Sequence, residues 1–411
     1  MAEKMDLNKV EVWDGNYAAA QALRQAQVDV VAAYPITPST PIVENYGAFV
    51  ANGYVDGEYV MAESEHGAMS ACTGAAAAGG RVATATSSQG FMLMLEVLYQ
   101  ASGMRLPMVL CVVNRAVASP LNVRGDHGDM YAGRDSGWIQ LDAYNAQEVY
   151  DLTLCAFKIG EDHSVRLPVM VHQDGFLTSH TAQNVYPLSD DEAYKFVGDF
   201  KPLNEMLDFS RPVTYGAQTE EDWHYEHKAN QHHALMESYK VIDKVFEEFK
   251  NLTGREYKRV ESYLMDDAEI AIVALGSSVE TAIVAAKELR KEGIKAGIVS
   301  PRCFRPFPYN EIQEALKDVK AVGALDRALS MGTMGVLFNE VAGALYSSNT
   351  KPILTNYIYG LGGRDFSVND AKQIFKELKA NADAGKATTP LQQFSGLRGG
   401  DKIAFYEWKR S

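Results

Sequence analysis

Three apolar runs, each ending in a polar loop marked by proline, serine or glycine, leave this chain few folds to choose from. Val28-Asp29-Val30-Val31-Ala32-Ala33 leads into Tyr34-Pro35-Ile36-Thr37-Pro38-Ser39, and Arg81-Val82-Ala83-Thr84-Ala85-Thr86 into Ser87-Ser88-Gln89-Gly90. Pro107-Met108-Val109-Leu110-Cys111-Val112-Val113 leads into Asn114-Arg115, with Gly125-Asp126-His127 farther along. Runs this rich in Val, Ala and Thr fit strands buried on both faces of a parallel sheet. Loops at the carboxyl ends of such strands gather in one crevice, so segments far apart in sequence are expected to meet there.

A further signal lies between them. Glu63 and Glu65 stand at a strand-to-helix junction, and Glu65 opens a helix of tiny residues running from Gly67 to Gly80. The alanine content favours helix, and the lack of bulk lets it lie close against a sheet or another subunit. A carboxylate in its first turn would be held rigidly toward the crevice, although one of the two glutamates could simply complement the helix dipole. Two prolines flank Thr37 and restrict its backbone, which suits a hydroxyl aimed at a ligand, whereas Ser39 fits a helix cap nearly as well. Backbone amides at the start of the helix after Ser87-Ser88-Gln89-Gly90 can bind an anion, though serine there is more often only a cap. Arg115 emerging into a crevice is suited to a carboxylate by two parallel hydrogen bonds. The loop from Asn122 to Asp135 is too polar for core and too long for a plain turn, which marks a functional loop; His127 within it reads as a polar loop residue.

With 411 residues, the chain has room for two or three domains. A formal net charge of −14 disfavours nucleic acid or an anionic membrane as the main partner. Cys72, Cys111, Cys155 and Cys303 are scattered without a Cys-x-x-Cys pair, so no iron–sulfur cluster is expected on this chain. The first residues hold no apolar signal core and no run reaches membrane-spanning length, so a cytoplasmic protein is expected.

The repeating strand–helix pattern divides the chain into a doubly wound core over residues 1–186 and a linker with helical extension over 187–265. A second α/β domain follows over 266–384, and then a tail over 385–411 poor in periodic apolar residues, expected to wrap a partner subunit. Within the extension, Lys228 to Phe249 has helical spacing, with Gly254 as its C-terminal cap. Glu269 to Ser278 is a strand and turn without Gly-x-Gly-x-x-Gly spacing, and reads as structural.

Taken as a set, several motifs resemble the α subunit of pyruvate:ferredoxin oxidoreductase and related 2-oxoacid:ferredoxin oxidoreductases. They are Tyr34 to Ser39, Ser64-Glu65-His66-Gly67-Ala68, Thr86 to Gly90, Gly125-Asp126-His127 with Asp129, Arg305-Pro306-Phe307-Pro308 and Gly360-Leu361-Gly362-Gly363-Arg364-Asp365. The likeness runs from about Val10 to Leu378. It implies an α/β fold: a doubly wound parallel-sheet domain for the pyrimidine side of thiamine diphosphate, plus a domain like the transketolase C-terminal one. A β subunit would supply the diphosphate and Mg²⁺ side, in keeping with the lack of a Gly-Asp-Gly diphosphate motif here, and no metal is assigned to this chain.

By the same resemblance, Glu65 is the cofactor-activating glutamate, bonded to a pyrimidine ring nitrogen, with Pro35, Ile36, Ser88 and Gln89 also at the cofactor. Thr37 and Arg115 match residues that contact the 2-oxoacid, and Arg124 and Asp126 are further substrate candidates. Electrons would pass to [4Fe-4S] clusters on ferredoxin-like δ and γ subunits and on to ferredoxin, while coenzyme A takes the acyl group. The implied reaction is the reversible conversion of pyruvate, CoA and oxidised ferredoxin to acetyl-CoA, CO₂ and reduced ferredoxin. Alternatives are a subunit acting on branched-chain 2-oxoacids or oxalate, a non-redox thiamine-dependent decarboxylase subunit, or a non-catalytic scaffold.

Overall fold

The computed structural model describes residues 10–398. The first residues and the last part of the expected tail, 399–411, lie outside the described residues. The chain forms two compact units.

The first unit comprises Met1–Glu261 with two segments that return to it, Leu275–Ser277 and Pro301–Pro308. Its elements in order are β1 (Glu11–Trp13), α1 (Gly15–Gln25), β2 (Val30–Ala33), α2 (Thr40–Ala51), β3 (Glu58–Met61), α3 (Glu65–Ala78), β4 (Val82–Thr86), α4 (Ser88–Gly103) and β5 (Val109–Asn114). Then come α5 (Gly128–Ala132), β6 (Ile139–Ala143), α6 (Ala146–Glu161), β7 (Val169–Asp174), β8 (Gln183–Val185), α7 (Asp190–Val197) and α8 (Glu221–Thr253). The main sheet has the order β6-β7-β5-β4-β2-β3, parallel throughout, with the returning strand Cys303–Arg305 antiparallel on β6. Beside it, β1 and β8 pair as a separate antiparallel ribbon.

Successive strand residues point to opposite faces, and here both faces are dry. Val31, Ala83, Ala85, Val109, Cys111 and Val113 pack into the core shared with α1, α2 and α6. Their neighbours Ala32, Val82, Leu110 and Val112 pack on the other face with Met69 and Cys72 of α3 and Phe91 and Met94 of α4. Chain order reverses about β2, since β3 lies on one side of it and β4 on the other. This is the switch point at which a doubly wound sheet opens a crevice.

The second unit contains β9 (Glu261–Tyr263, whose first residue clusters with the first unit), β10 (Ile270–Val273), α9 (Ser278–Lys291) and β11 (Ala296–Ser300). The strand Cys303–Arg305, β12, belongs to the first sheet, and α10 (Tyr309–Leu316), β13 (Ala321–Asp326), α11 (Val336–Tyr346), β14 (Ile353–Ile358), α12 (Val368–Ala384) and β15 (Gln392–Phe394) complete the second unit. Its sheet order is β15-β14-β13-β10-β11-β9, with parallel pairing from β15 through β11. Ser367 opens α12 with a reciprocal cap shared with Asp370.

Several elements depart from the sequence reading. β6 is fully buried although Gln140 and Asp142 break its apolar pattern. The polar stretch after Pro187 holds α7, started by a capping box between Ser189 and Glu192. α8 starts at Glu221 rather than Lys228 because its first turns are exposed on every side and so carry no apolar periodicity. Residues 303–305 form a strand paired with β6, and Gln392–Phe394 of the tail adds an edge strand to the second sheet.

Candidate active site

The crevice of the first unit lies where β2, β3, β4 and β5 end. Ser64 caps α3 by accepting a 3.0 Å hydrogen bond from the Gly67 amide, which fixes Glu65 in the first turn. Only 7% of Glu65 is exposed, yet among the described residues no donor hydrogen-bonds its carboxylate. The carboxylate lies flush on α4: a Cβ on Gly90 would stand 2.6 Å from Glu65 Oε1 and 2.7 Å from its Cγ. Glycine at position 90 is therefore what lets the carboxylate sit there.

The loop after β2 turns at a cis Thr37–Pro38 bond. Thr37, Pro35 and Tyr34 are exposed and Ile36 is half-buried. Ser39 sits at the start of α2 but makes no side-chain cap; its hydroxyl donates back to the Ile36 carbonyl at 2.9 Å. Arg115, 7% exposed, joins this loop to the end of β5 by donating from Nη1 to the Thr37 carbonyl at 2.9 Å and from Nε to the Asn122 carbonyl at 3.2 Å. Burial lowers the pKa of Arg115, while Asp129 and Glu65 act against that shift, so Glu65 and Arg115 lie within electrostatic reach of each other. A guanidinium has five N–H groups, and the two bonds to carbonyls leave donors for an incoming carboxylate.

Ser88 begins α4 in a left-handed conformation, φ 49°. Its amide donates to Asp129 Oδ2 at 2.8 Å, and its hydroxyl lies 2.5 Å from the Ala116 carbonyl and also against Gln89 Oε1, either of which its single hydrogen can serve. The hydroxyls of Thr86 and Ser87 and the amide nitrogen of Gln89 are buried without a hydrogen-bond partner among the described residues. Buried polar atoms of this kind are uncommon, and here they cluster where β4 passes into α4.

The polar loop after β5 is more ordered than its sequence suggested. His127 is buried, its Nε2 2.6 Å from Asp174 Oδ1. Asp174 Oδ2 in turn accepts from the Ser277 amide at 2.9 Å and hydroxyl at 2.6 Å, and Asp142 Oδ2 accepts from the Gly276 amide at 2.7 Å. Burial pushes the Asp142 carboxyl up to about 7, against the pull of His127, and pushes His172, whose ring nitrogens have no partner, down to about 3. Asp126 Oδ1 accepts from the Gly128 amide at 2.8 Å at the start of α5. Arg124 is exposed and lies over the Phe176 ring at 4.7 Å from its centroid. Thr37, Glu65 and Arg115 thus share one crevice; Ser88 lies fully buried behind it with its amide and hydroxyl both engaged, and Arg124 and Asp126 are engaged by their own surroundings. Sequence reasoning quoted Gly90 and Asp129 only as members of motifs and gave neither a role, because their importance lies in contacts with residues far away in the chain.

The four cysteines are free and buried, and among the described residues no group of His, Cys, Asp or Glu is placed to hold a metal ion. No helix among them is long and apolar enough to cross a membrane.

Comparison with known proteins agrees with this layout. Residues 21–247 match the family described as pyruvate flavodoxin/ferredoxin oxidoreductase, thiamine diphosphate-binding, and residues 268–371 match pyruvate:ferredoxin oxidoreductase core domain II. The pyruvate synthase subunit PorA of Thermotoga maritima is 47% identical over 384 residues, 93% of this chain and 97% of that protein. The ketoisovalerate oxidoreductase subunit VorA of Pyrococcus abyssi is 45% identical over 395 residues, 96% of this chain and 99% of that protein. A solved 2-oxoglutarate:ferredoxin oxidoreductase from Magnetococcus marinus, with 2-oxoglutarate, coenzyme A and succinyl-CoA bound, superposes with a TM-score of 0.72 at 20% identity, over 91% of this chain and 65% of that one. A split-gene transketolase shares the fold with a TM-score of 0.54 at 13% identity, over 89% of this chain and 98% of that one. A thiamine diphosphate-binding domain followed by core domain II, together with near-full-length likeness to PorA and VorA subunits, places this chain in the 2-oxoacid:ferredoxin oxidoreductase family as an α-type subunit of an oxidoreductase.

Proposed function

We propose that this chain is the α subunit of a CoA-acylating pyruvate:ferredoxin oxidoreductase that interconverts pyruvate, CoA and oxidised ferredoxin with acetyl-CoA, CO₂ and reduced ferredoxin. The observation that carries the reading is the buried side chain of Glu65, its carboxylate free of hydrogen-bond donors among the described residues, within electrostatic reach of a buried Arg115 that holds the Thr37 loop. The residues present fit thiamine diphosphate. Glu65 offers an unpaired carboxylate, Gly90 permits close approach, and the buried polar atoms of Thr86, Ser87 and Gln89 await a partner.

When bound, thiamine diphosphate supplies a nucleophilic carbon and an electron sink for the loss of CO₂ from a 2-oxoacid. Glu65 holds the proton at the pyrimidine ring nitrogen, Pro35 and Ile36 line the approach, and Ser88 and Gln89 close the crevice from the α4 side. Arg115 pairs with the substrate carboxylate through the donors left free, and burial strengthens that pairing. Thr37 presents a hydroxyl for the keto oxygen. One buried cation beside a neutral threonine suits a monocarboxylate, because the other nearby cation, Arg124, is exposed and stacked on Phe176. Asp126, engaged at the start of α5, orders the same loop.

Near-equal identity to PorA and VorA relatives supports a second substrate class, branched 2-oxoacids such as ketoisovalerate. The complete enzyme pairs this chain with a β subunit carrying Mg²⁺ and the diphosphate, and with ferredoxin-like γ and δ subunits carrying [4Fe-4S] clusters that reduce ferredoxin. The tail after residue 385, which adds β15 to this chain's own second sheet, also reaches one of these partners, and the assembly works in the cytoplasm. CoA-dependent reduction of a low-potential dye by the purified complex tests the reading. Turnover with pyruvate above that with ketoisovalerate supports it, the reverse order selects the second class, and no turnover with any 2-oxoacid refutes both.

A further inference from the structure

Asp129 is fully buried in the first turn of α5, and its two carboxylate oxygens each accept two hydrogen bonds. Oδ2 takes the Ser88 amide at 2.8 Å and the Arg115 amide at 2.9 Å, and Oδ1 takes Asn114 Nδ2 at 2.9 Å and the Met130 amide at 2.8 Å. One side chain thereby ties the start of α4 to the end of β5, across 41 and 14 residues of sequence. The Ser88 hydroxyl, bonded to the Ala116 carbonyl at 2.5 Å, joins the same two segments from the other side. Ser88 holds φ 49°, a conformation that persists only where the surroundings over-determine it.

We propose that Asp129 is a positioning residue: by locking the start of α4 against the end of β5, it sets where the Arg115 guanidinium stands relative to the Glu65 carboxylate. Gly90, in the first turn of α4 beyond Ser88, is the surface on which that carboxylate rests. Asp129 bonds the Arg115 backbone while the guanidinium projects toward the Thr37 carbonyl, so a shift of the clamp moves the guanidinium without removing it. The inference rests on the reading of Arg115 as the partner of the substrate carboxylate.

Asp129→Asn keeps the size and removes the symmetry. If the NH₂ turns toward Ser88 and Arg115, both amides lose their acceptor; if it turns the other way, Asn114 must flip to present Oδ1 and the Met130 amide loses its acceptor. Kinetics of the assembled complex, normalised to bound thiamine diphosphate, should show the KM for pyruvate raised on the order of 10- to 100-fold with the KM for CoA unchanged. A residue that only stabilised the fold would lower the amount of active complex and leave both KM values alone; that result would overturn the proposal. Arg115→Ala serves as the control. A raised pyruvate KM in Arg115→Ala beside an unchanged one in Asp129→Asn overturns the role of Asp129 alone, while an unchanged KM in Arg115→Ala overturns the reading beneath it. Should Asp129→Asn not assemble, Asn114→Leu removes one of the four donors, and a several-fold rise in pyruvate KM supports the clamp where an unchanged KM refutes it.

Discussion

Replacing Gly90 by alanine separates stability from catalysis more cleanly than any other change in the crevice. The added Cβ would stand 2.6 Å from Glu65 Oε1, 2.6 Å from Thr86 Oγ1 and 2.7 Å from Glu65 Cγ, where ordinary contact needs about 3.4 Å or more. The threonine hydroxyl can rotate away, but both the Cγ and the carboxylate of Glu65 must retreat by about 1 Å. Crowding of this kind costs about 1–3 kcal/mol, and alanine in place of glycine within a helix returns up to about 1 kcal/mol. The fold should therefore lose no more than about 3 kcal/mol. A displacement of about 1 Å in a group that must meet its partner in one geometry can cost about 100-fold in rate. Thermal denaturation of the assembled complex with pyruvate-dependent dye reduction measures both quantities. The expected outcome is near-normal assembly with kcat lowered about 100-fold. A kcat within threefold of the parent enzyme, at full assembly, would refute the claim that the Glu65 carboxylate works from this position.

Removing the buried guanidinium by Arg115→Ala should cost on the order of 2–5 kcal/mol in kcat/KM for pyruvate, the range for truncating one partner of a desolvated ion pair, and unchanged steady-state constants would take Arg115 out of the site. The Asp142 carboxyl, raised from 3.8 to about 7 by burial, keeps its proton in the folded chain after the unfolded chain has lost it. Between pH of about 4 and 7 its contribution to stability therefore falls as pH rises, by at most about 4 kcal/mol. Asp129, raised to about 6, adds a smaller loss of the same sign. Asp142→Asn should flatten the decline in melting temperature of the complex between pH 5 and pH 8; an unaltered pH dependence would show that the carboxyl titrates normally.

The sheet and its crevice were largely legible because their signals are local. Val30 to Ala33, Val82 to Thr86 and Val109 to Val113 are apolar on both faces, a pattern that fits little except a covered parallel strand, and polar loops mark their ends. Ser64 with Glu65 at a helix start could be read in the same way. Illegible features depend on distant partners. His127 looked like a solvated loop residue because Asp174, which buries and pairs it, lies 47 residues on. β6 was hidden by Gln140 and Asp142, polar side chains in a buried strand whose Nε2 and Oδ2 are bonded by the Met130 carbonyl and the Gly276 amide. The first turns of α8 carry no apolar stripe, and none of the described residues covers them. Gly90 and Asp129 stand in recognisable motifs, but their roles do not: the meaning of one is a clash that only a Cβ would reveal, and that of the other is four hydrogen bonds from three segments.

The account turns on the Glu65 carboxylate, and the most direct test is the specific activity of the Glu65→Gln complex per bound thiamine diphosphate. Glutamine is nearly isosteric but cannot hold or release a proton at the ring nitrogen, so pyruvate-dependent turnover should fall by about 10²–10⁴-fold with subunit assembly intact. Turnover within a few-fold of the parent complex would contradict the assignment.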